Sequence, residues 1–561
     1  MINALAWPLL MGLLISAVLE ALLNPRPKHF WQRSIASNGV HIGSWLLLFG
    51  LLVLLLQRPW FATVVALSLQ MVVVQSSNTK SQTLNEPFIC HDFEYFWDAI
   101  LHPRLYVPFF GIGLAIAASS AGAVAIGAFF YWETSLVTNQ GAMGFILSAV
   151  GLIASGAALL SLCVPRLPAI TLQPAQDIHR LGLFASLWAY GVALMRAPIP
   201  SPEQSPFHAL TEVAKAHSHK QSLSDNLPNV VLVQSESFFD PRPWCKEVNT
   251  SLLKHFDLTL ENATLQGSLN VPAWGANTVR TECAVLTGIA PNQWGARQFN
   301  PYRTLLRHPQ PSLASALKAA GYRTVCVHPY LASFYFRHKV IPQLGFDQFI
   351  DIDAFDSDDK NGQYISDLAV AGKIGRLLED DDNRPLFIFV ITMENHGPLH
   401  LEAPNQATLA NTMPNSVWPL ADHLSDLAVY LHHLGESDKM LASIKDGLRA
   451  ANRPGLLGWY GDHVPILPAA YEHYSPPDSR TPYLIWSTGN WLESSGIENN
   501  WLDDNSINNN LVRNSWVKKS ERLAMANEPR EIDANELGVQ LFNQVFGHNV
   551  IKAEPEPQEQ E

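Results

Sequence analysis

Four short motifs in the second half of the chain carry groups that bind cations or move protons. They are Ser235-Glu236-Ser237, His328, Glu394-Asn395-His396-Gly397 and Gly461-Asp462-His463, each directly after a short apolar run. A divalent cation needs carboxylate and imidazole ligands converging from separate elements. A Gly-Asp-His alone reads as a turn with a satisfied aspartate; four such motifs together point to a metal centre. A nucleophile is also at hand. Residues Asn270–Gly288 read NVPAWGANTVRTECAVLTG and run into an apparent helix with Thr278 at or near its N-terminus. There the unpaired N–H groups and the helix dipole favour the anion formed on attack. The plainer reading makes Thr278 an N-cap, and Thr281 and Glu282 are capping-type residues too. A bound metal turns such a hydroxyl into a nucleophile by lowering its pKa.

The elements that must position these groups alternate between strand and helix. Asn229–Gln234, Arg323–His328, Leu386–Thr392 and Leu456–Tyr460 are short apolar runs that predict buried strands. Ser312–Ala320, Tyr364–Glu379 and Leu424–Leu448 have helical spacing. That order implies a mostly parallel central sheet with helices on both faces. In such sheets the ligand crevice lies beyond the carboxyl ends of the strands, where all four motifs fall.

The first 197 residues are of another kind. Crossing a bilayer takes ~20 apolar residues in a helix. Ile2–Leu23, Val40–Leu56, Trp60–Val74, Leu105–Tyr131 and Gly141–Cys163 meet this or come close, and Leu181–Met195 is a shorter sixth stretch. The first lacks a basic lead and a small-residue cleavage site, so it reads as retained. Arg26, Lys28, Arg33, Lys80, Arg104, Arg166 and Arg180 fall in loops after odd spans, against Arg58 alone in the others. Those loops are then cytoplasmic; six spans place the C-terminal half outside, whereas five would leave it inside, and six is the expectation taken. Glu20, near the inner end of its helix, is expected to reach the interface; Asn78–Asp92 reads as a polar loop.

Composition sets the outer limits. The 561 residues are 47% hydrophobic, too apolar for a disordered chain, and a net charge of −13 argues against a nucleic-acid binder. Cys90, Cys163, Cys245, Cys283 and Cys326 show no Cys-x-x-Cys spacing, so neither a zinc framework nor a disulfide scaffold is expected. The predicted organisation is a transmembrane domain (1–197), a Pro/Ser/His/Gln-rich linker (198–226), an extracytoplasmic catalytic domain (227–552) and a disordered acidic tail (553–561).

Taken together, VQSES around Glu236, GANTVRTE around Thr278, HPYLASFYFR from His328 to Arg337, MENHGP around His396 and GDH at Asp462-His463 resemble the lipoteichoic acid synthase group of the sulfatase and alkaline phosphatase superfamily. The resemblance covers nearly the whole chain. It implies an alkaline phosphatase/sulfatase-like α/β domain and one divalent ion, manganese by preference with magnesium or zinc as alternatives, on Glu236, Thr278, Asp462 and His463. It also implies Thr278 as catalytic nucleophile, Arg337 and His396 as substrate-phosphate contacts, and His328 and Tyr335 lining the head-group pocket. His400, His432, His433 and His473 match no motif and read as surface residues. Asn277 before Thr278, and Tyr330 and Tyr335 where an Asp and a Trp are expected, depart from the Gram-positive type. The chain looks closer to Gram-negative members with glycan or polysaccharide acceptors.

The implied activity is a phosphoglycerol transfer from a membrane phospholipid, through a covalent adduct on Thr278, by a multi-pass protein of the bacterial inner membrane whose catalytic domain faces the periplasm. Three alternatives remain. A sulfatase needs Cys/Ser-x-Pro-x-Arg, and the nearest approach, at Ser475-Pro476-Pro477, has Ser479 in place of Arg. A phosphoethanolamine transferase typically uses zinc and a disulfide-rich domain, which five scattered cysteines do not suit. A non-catalytic membrane scaffold is the third.

Overall fold

The computed structural model describes residues 2–94, 96, 112–218, 227–380, 382–402, 406–489 and 529–546. The predicted acidic tail and the start of the fourth apolar stretch lie outside these. The chain divides into two compact units, Met1–Ala197 and Pro198–Glu561.

The first unit is helical. Ile35–Leu56, Pro59–Leu84 and Gly141–Arg166 are long and apolar enough to cross a membrane, and Ala4–Glu20 and Leu183–Arg196 are shorter apolar helices. Ile112–Trp132 is helical as well. Two expectations need correction. The stretch Asn78–Asp92 is not all loop: the helix runs on to Leu84, and Lys80 closes the turn beyond it by pairing with Glu86 at 2.5 Å and Asp92 at 2.8 Å. Nor does Glu20 reach out to an interface. It is fully buried, paired with Arg33, accepts from the Leu183 backbone N–H at 3.0 Å and meets His41 Nδ1 at 3.1 Å. A carboxylate in an apolar unit is held by bringing its partners to it. Gly182 makes room for this: its φ is +82°, and a Cβ there would lie 2.1 Å from Arg33 Nη1.

The second unit is built on an eight-stranded sheet. Its strands are β1 (Asn229–Ser235), β2 (Leu265–Asn270), β3 (Arg323–Val327), β4 (Gln348–Ile350), β7 (Leu386–Ile391), β8 (Gly455–Gly461), β9 (Thr481–Ser487) and β10 (Arg530–Asp533), with β5 (Lys360–Asn361) and β6 (Tyr364–Ile365) forming a separate hairpin. The order across the sheet is β10-β2-β9-β8-β1-β7-β3-β4. The central strands β8, β1, β7, β3 and β4 run parallel, and β9 is antiparallel to both its neighbours.

Alternation along each strand sends its side chains to two cores. Val230 and Leu232 of β1 and Phe387, Phe389 and Ile391 of β7 pack with Val285, Leu317 and Leu541 on one face. Val231 and Val233 with Ile388 and Val390 pack against Ile374, Leu427 and Leu441 on the other. Both faces being covered is why these strands read as unbroken apolar runs. The four predicted strands are observed with ends within one residue of those expected. The helix expected over Tyr364–Glu379 starts at Asp367, because the Ser366 hydroxyl caps it by accepting from Ala369 N–H at 3.1 Å. Composition misleads at 206–218, which lies in the expected linker. It is a helix, Pro206–Ser218, whose Phe207, Leu210 and Ala214 are fully buried in the first core.

Candidate metal centre

Strand β1 ends at Ser235 and strand β8 at Gly461, neighbours in register, so the residues that follow them emerge side by side. Glu236, Asp462 and His463 bring one ligand atom each within 4.8 Å of the others, all buried. Backbone bonds fix them there. The Glu236 N–H donates to Thr392 Oγ1 beyond β7 at 2.9 Å. The Ser237 N–H, from a left-handed residue with φ +54°, donates to Asp462 Oδ1 at 2.9 Å.

The electrostatics of this trio fit a cation. His463 donates Nδ1–H to the Val464 carbonyl at 3.0 Å. Its Nε2 lone pair then faces Asp462 Oδ2 at 3.2 Å and Glu236 Oε1 at 3.5 Å. Neither Asp462 Oδ2 nor His463 Nε2 has a hydrogen-bond partner. Three acceptors turned on one another repel until a positive charge joins them. Burial, and next the charge of Asp462, push the Glu236 carboxyl up to about 8. Oxygen and nitrogen donors without thiolate suit manganese, magnesium or zinc alike.

Thr278 begins the helix Thr278–Thr287. Asn277, ahead of it, has φ +65°, and Thr278 itself is buried. One turn on, Thr281 Oγ1 donates to the Asp462 backbone carbonyl at 2.8 Å. The N-terminal turn of this helix is thereby tied to the strand end that supplies two of the three candidate ligands.

Behind the helix lies a second charged group. Arg337, 1% exposed, donates to Glu282 Oε2 at 2.8 Å and through Nη1 to His328 Nε2 at 3.1 Å. Glu282 also accepts from the Tyr302 hydroxyl. His328 donates Nδ1–H to the Ile391 carbonyl at 3.2 Å, and burial with the Arg337 charge holds its pKa well below the ordinary value. The Arg337 guanidinium sits 5.3 Å from the centre of the Tyr335 ring. Tyr335 and Phe336 both have left-handed backbones, φ +53° and +58°, a strain that clusters at functional sites.

His396, half-buried, donates Nδ1–H to the Gly397 carbonyl at 2.6 Å, which leaves its lone pair on Nε2. Burial holds its pKa below the ordinary value, while the Asp462 charge pulls the other way.

Seven of the predicted residues thus fall into two groups, Glu236, Asp462 and His463 with the Thr278 helix, and Arg337 with His328 and Tyr335, while His396 hydrogen-bonds to neither. Sequence reading missed what holds them. Glu282, taken as a cap, is the counter-ion of Arg337. His433, taken as a surface residue, is 1% exposed. Its Nδ1 lies 3.0 Å from Glu394 and its Nε2 2.8 Å from Glu402. His433 lies three residues after the buried Tyr430 and four before the buried Ser437, a helical spacing that marks a buried face. His400 and His473 are exposed and His432 is half-buried.

Residues 228–512 match the Sulfatase family. The chain belongs to the sulfatase family, with the mostly parallel, helix-covered sheet of the alkaline phosphatase/sulfatase-like fold. It is 28% identical over 445 residues to the capsular polysaccharide biosynthesis protein RkpI of Rhizobium meliloti, spanning 76% of this chain and 77% of that one. A second protein of that organism, provisionally named for cyclic beta-1,2-glucan modification, is 29% identical over 280 residues, or 46% of this chain and 42% of that one. Among solved structures, the phosphoglycerol transferase GacH of Streptococcus pyogenes aligns with a TM-score of 0.42 and 19% identity over 62% of this chain and 84% of that chain.

Proposed function

We propose that this protein is a membrane-anchored transferase. It moves a phosphoglycerol-type head group from a phospholipid, through a covalent Thr278 adduct, to a periplasmic or cell-surface glycan. The observation that carries the reading is the Thr281–Asp462 bond, which sets the helix headed by Thr278 against the carboxylate–imidazole trio. Two relatives named for capsular polysaccharide and cyclic glucan support a glycan acceptor. The apolar helices of the first unit support a membrane location. In this reading the domain 227–552 faces the periplasm, where donor lipid is present at high local concentration.

Glu236, Asp462 and His463 would hold one divalent ion, with Thr278 as a fourth ligand. When bound, such an ion supplies a Lewis acid that acidifies a hydroxyl and neutralises phosphoryl charge. The residues do the rest. Thr278 Oγ bonds to phosphorus in line as the bond from phosphorus to the diacylglycerol oxygen breaks. The proton that Thr278 loses is the one diacylglycerol gains, and the neutral Nε2 of His396 carries it. In the second step a glycan hydroxyl bonds to phosphorus and Thr278 Oγ leaves, with the proton returning by the same nitrogen. Arg337, braced by Glu282 and His328, contributes fixed positive charge, and Tyr335 lines the head-group side.

Peptide mass spectrometry across Thr278, after incubation with manganese and a mixed phospholipid extract, tests the reading. A glycerophosphoryl adduct supports it. A phosphoethanolamine adduct keeps the nucleophile and changes the donor. Unchanged lipid turnover in Thr278→Ala would sink the nucleophile.

A further inference from the structure

Asn395 stands between two residues that are firmly held. On one side Glu394 accepts from the Asp367 backbone N–H at 2.5 Å and from Asn361 Nδ2 at 2.6 Å, and it pairs with His433. On the other, the His396 N–H donates to the Met393 carbonyl at 3.0 Å and closes a turn. This turn follows β7, which lies between β1, leading to Glu236, and β3, leading to His328.

The Asn395 side chain itself bonds to nothing. It is 2% exposed, and neither Oδ1 nor Nδ2 has a hydrogen-bond partner. Among the described residues it is the one buried amide with both polar atoms unpaired. Such a group destabilises the fold, and an apolar side chain of similar volume would not. Ser235 Oγ at the end of β1 is also unpaired, as are Asp462 Oδ2 and His463 Nε2 beyond the neighbouring β8, which belong to the candidate metal centre.

We infer that Asn395 is a substrate-binding residue for the phosphoryl group. Its Nδ2 donates to a non-bridging phosphoryl oxygen, and its Oδ1 accepts a hydrogen from the transferred group, a glycerol hydroxyl or an ammonium. An amide offers one donor and one acceptor side by side, which matches a group that is rich in acceptors and carries a donor within reach. The inference deepens the transferase reading and rests on it for the donor.

The test uses the full chain in detergent, loaded with manganese. Thermal midpoints are measured with and without inorganic phosphate, and diacylglycerol release is followed from phosphatidylglycerol micelles. Asn395→Leu should melt at or above the wild-type temperature without phosphate, lose the phosphate-induced rise, and release diacylglycerol roughly a hundredfold more slowly. Asn395→Asp, which keeps the volume and repels the anion, should lose the phosphate response even if the leucine variant fails to fold. A structural asparagine would give the opposite: a lower melting temperature with the phosphate response kept. That result overturns the inference, as does turnover within threefold of wild type or a wild type that phosphate does not stabilise. A wild type that responds to phosphate through Asn395 yet releases no diacylglycerol keeps the inference and rejects the donor.

Discussion

The hydroxyl of Thr281 donates to the backbone carbonyl of Asp462 at 2.8 Å. One hydrogen bond thus couples the helix that Thr278 heads to the strand end that presents Asp462 and His463. Thr281 is fully buried, so the bond does not compete with water. Thr281→Val keeps the shape and removes the donor. It should cost about 1 kcal/mol of stability and lower the turnover number roughly tenfold with manganese content unchanged. Normal turnover would show that the helix is positioned by packing alone.

Asp462→Asn replaces a buried carboxylate with a neutral side chain of equal size. Manganese content after gel filtration should fall to background, and added manganese should no longer raise the melting temperature. In the wild type, metal at a hundredfold excess over its Kd should add ~2.7 kcal/mol to stability. Retained metal would remove Asp462 from the ligand set.

Glu282 and Arg337 form an ion pair in which neither side chain is more than 1% exposed. Removing one partner strands the other charge in the core, so Glu282→Ala should cost ~3–5 kcal/mol by denaturant unfolding. Replacing both, with Glu282→Leu and Arg337→Met, should recover much of that loss while activity stays low. Recovered activity in the double variant would mean that Arg337 has no part in the chemistry.

His433 sets an alkaline limit. Burial alone would lower its pKa, but the hydrogen bonds and charges of Glu394 and Glu402 outweigh burial and raise it to about 9, from 6.5. A group whose pKa rises on folding stabilises fully below its unfolded value and ceases to do so as pH climbs through its folded value. The contribution, on the order of 3 kcal/mol, should therefore fade between pH ~6.5 and ~9. Thermal midpoints across that range should fall more steeply for the wild type than for His433→Gln, in which the raised Glu236 carboxyl still contributes a decline up to about pH 8. Parallel slopes would remove His433 as the titrating group.

Strands β1, β3, β7 and β8 were legible because sheets covered on both faces demand unbroken apolar runs, as in NVVLVQ and LFIFVI. The ligand motifs were legible because such sheets place function at strand ends, and Glu236 and Asp462 sit there. Strands β2 and β10, LQGSLN and REID, were not. The first is only partly buried and the second mostly exposed, so they carry no apolar signature. The supports also escaped notice, for a different reason. Glu282 and His433 are polar residues whose meaning depends on partners far along the chain, and spacing along one segment does not reveal these. Glu20 is the same case: His41, Arg33 and Leu183 make its burial tolerable, and only the fold brings them together.

The helix Pro206–Ser218 bears on where the second unit can be cut from the apolar helices of the first. Phe207 is fully buried, and the Ser205 hydroxyl donates to the carbonyl of Thr287, at the far end of the helix that Thr278 begins, at 2.7 Å. Proteolysis ahead of Pro198 would shed a complete unit that keeps this wall. A cut after Ser218 would leave this helix with the first unit, and the fragment would enter solution with a bare apolar flank where Phe207, Leu210 and Ala214 had packed. Of two nicks only some twenty residues apart, one should yield a soluble fragment and the other an aggregate.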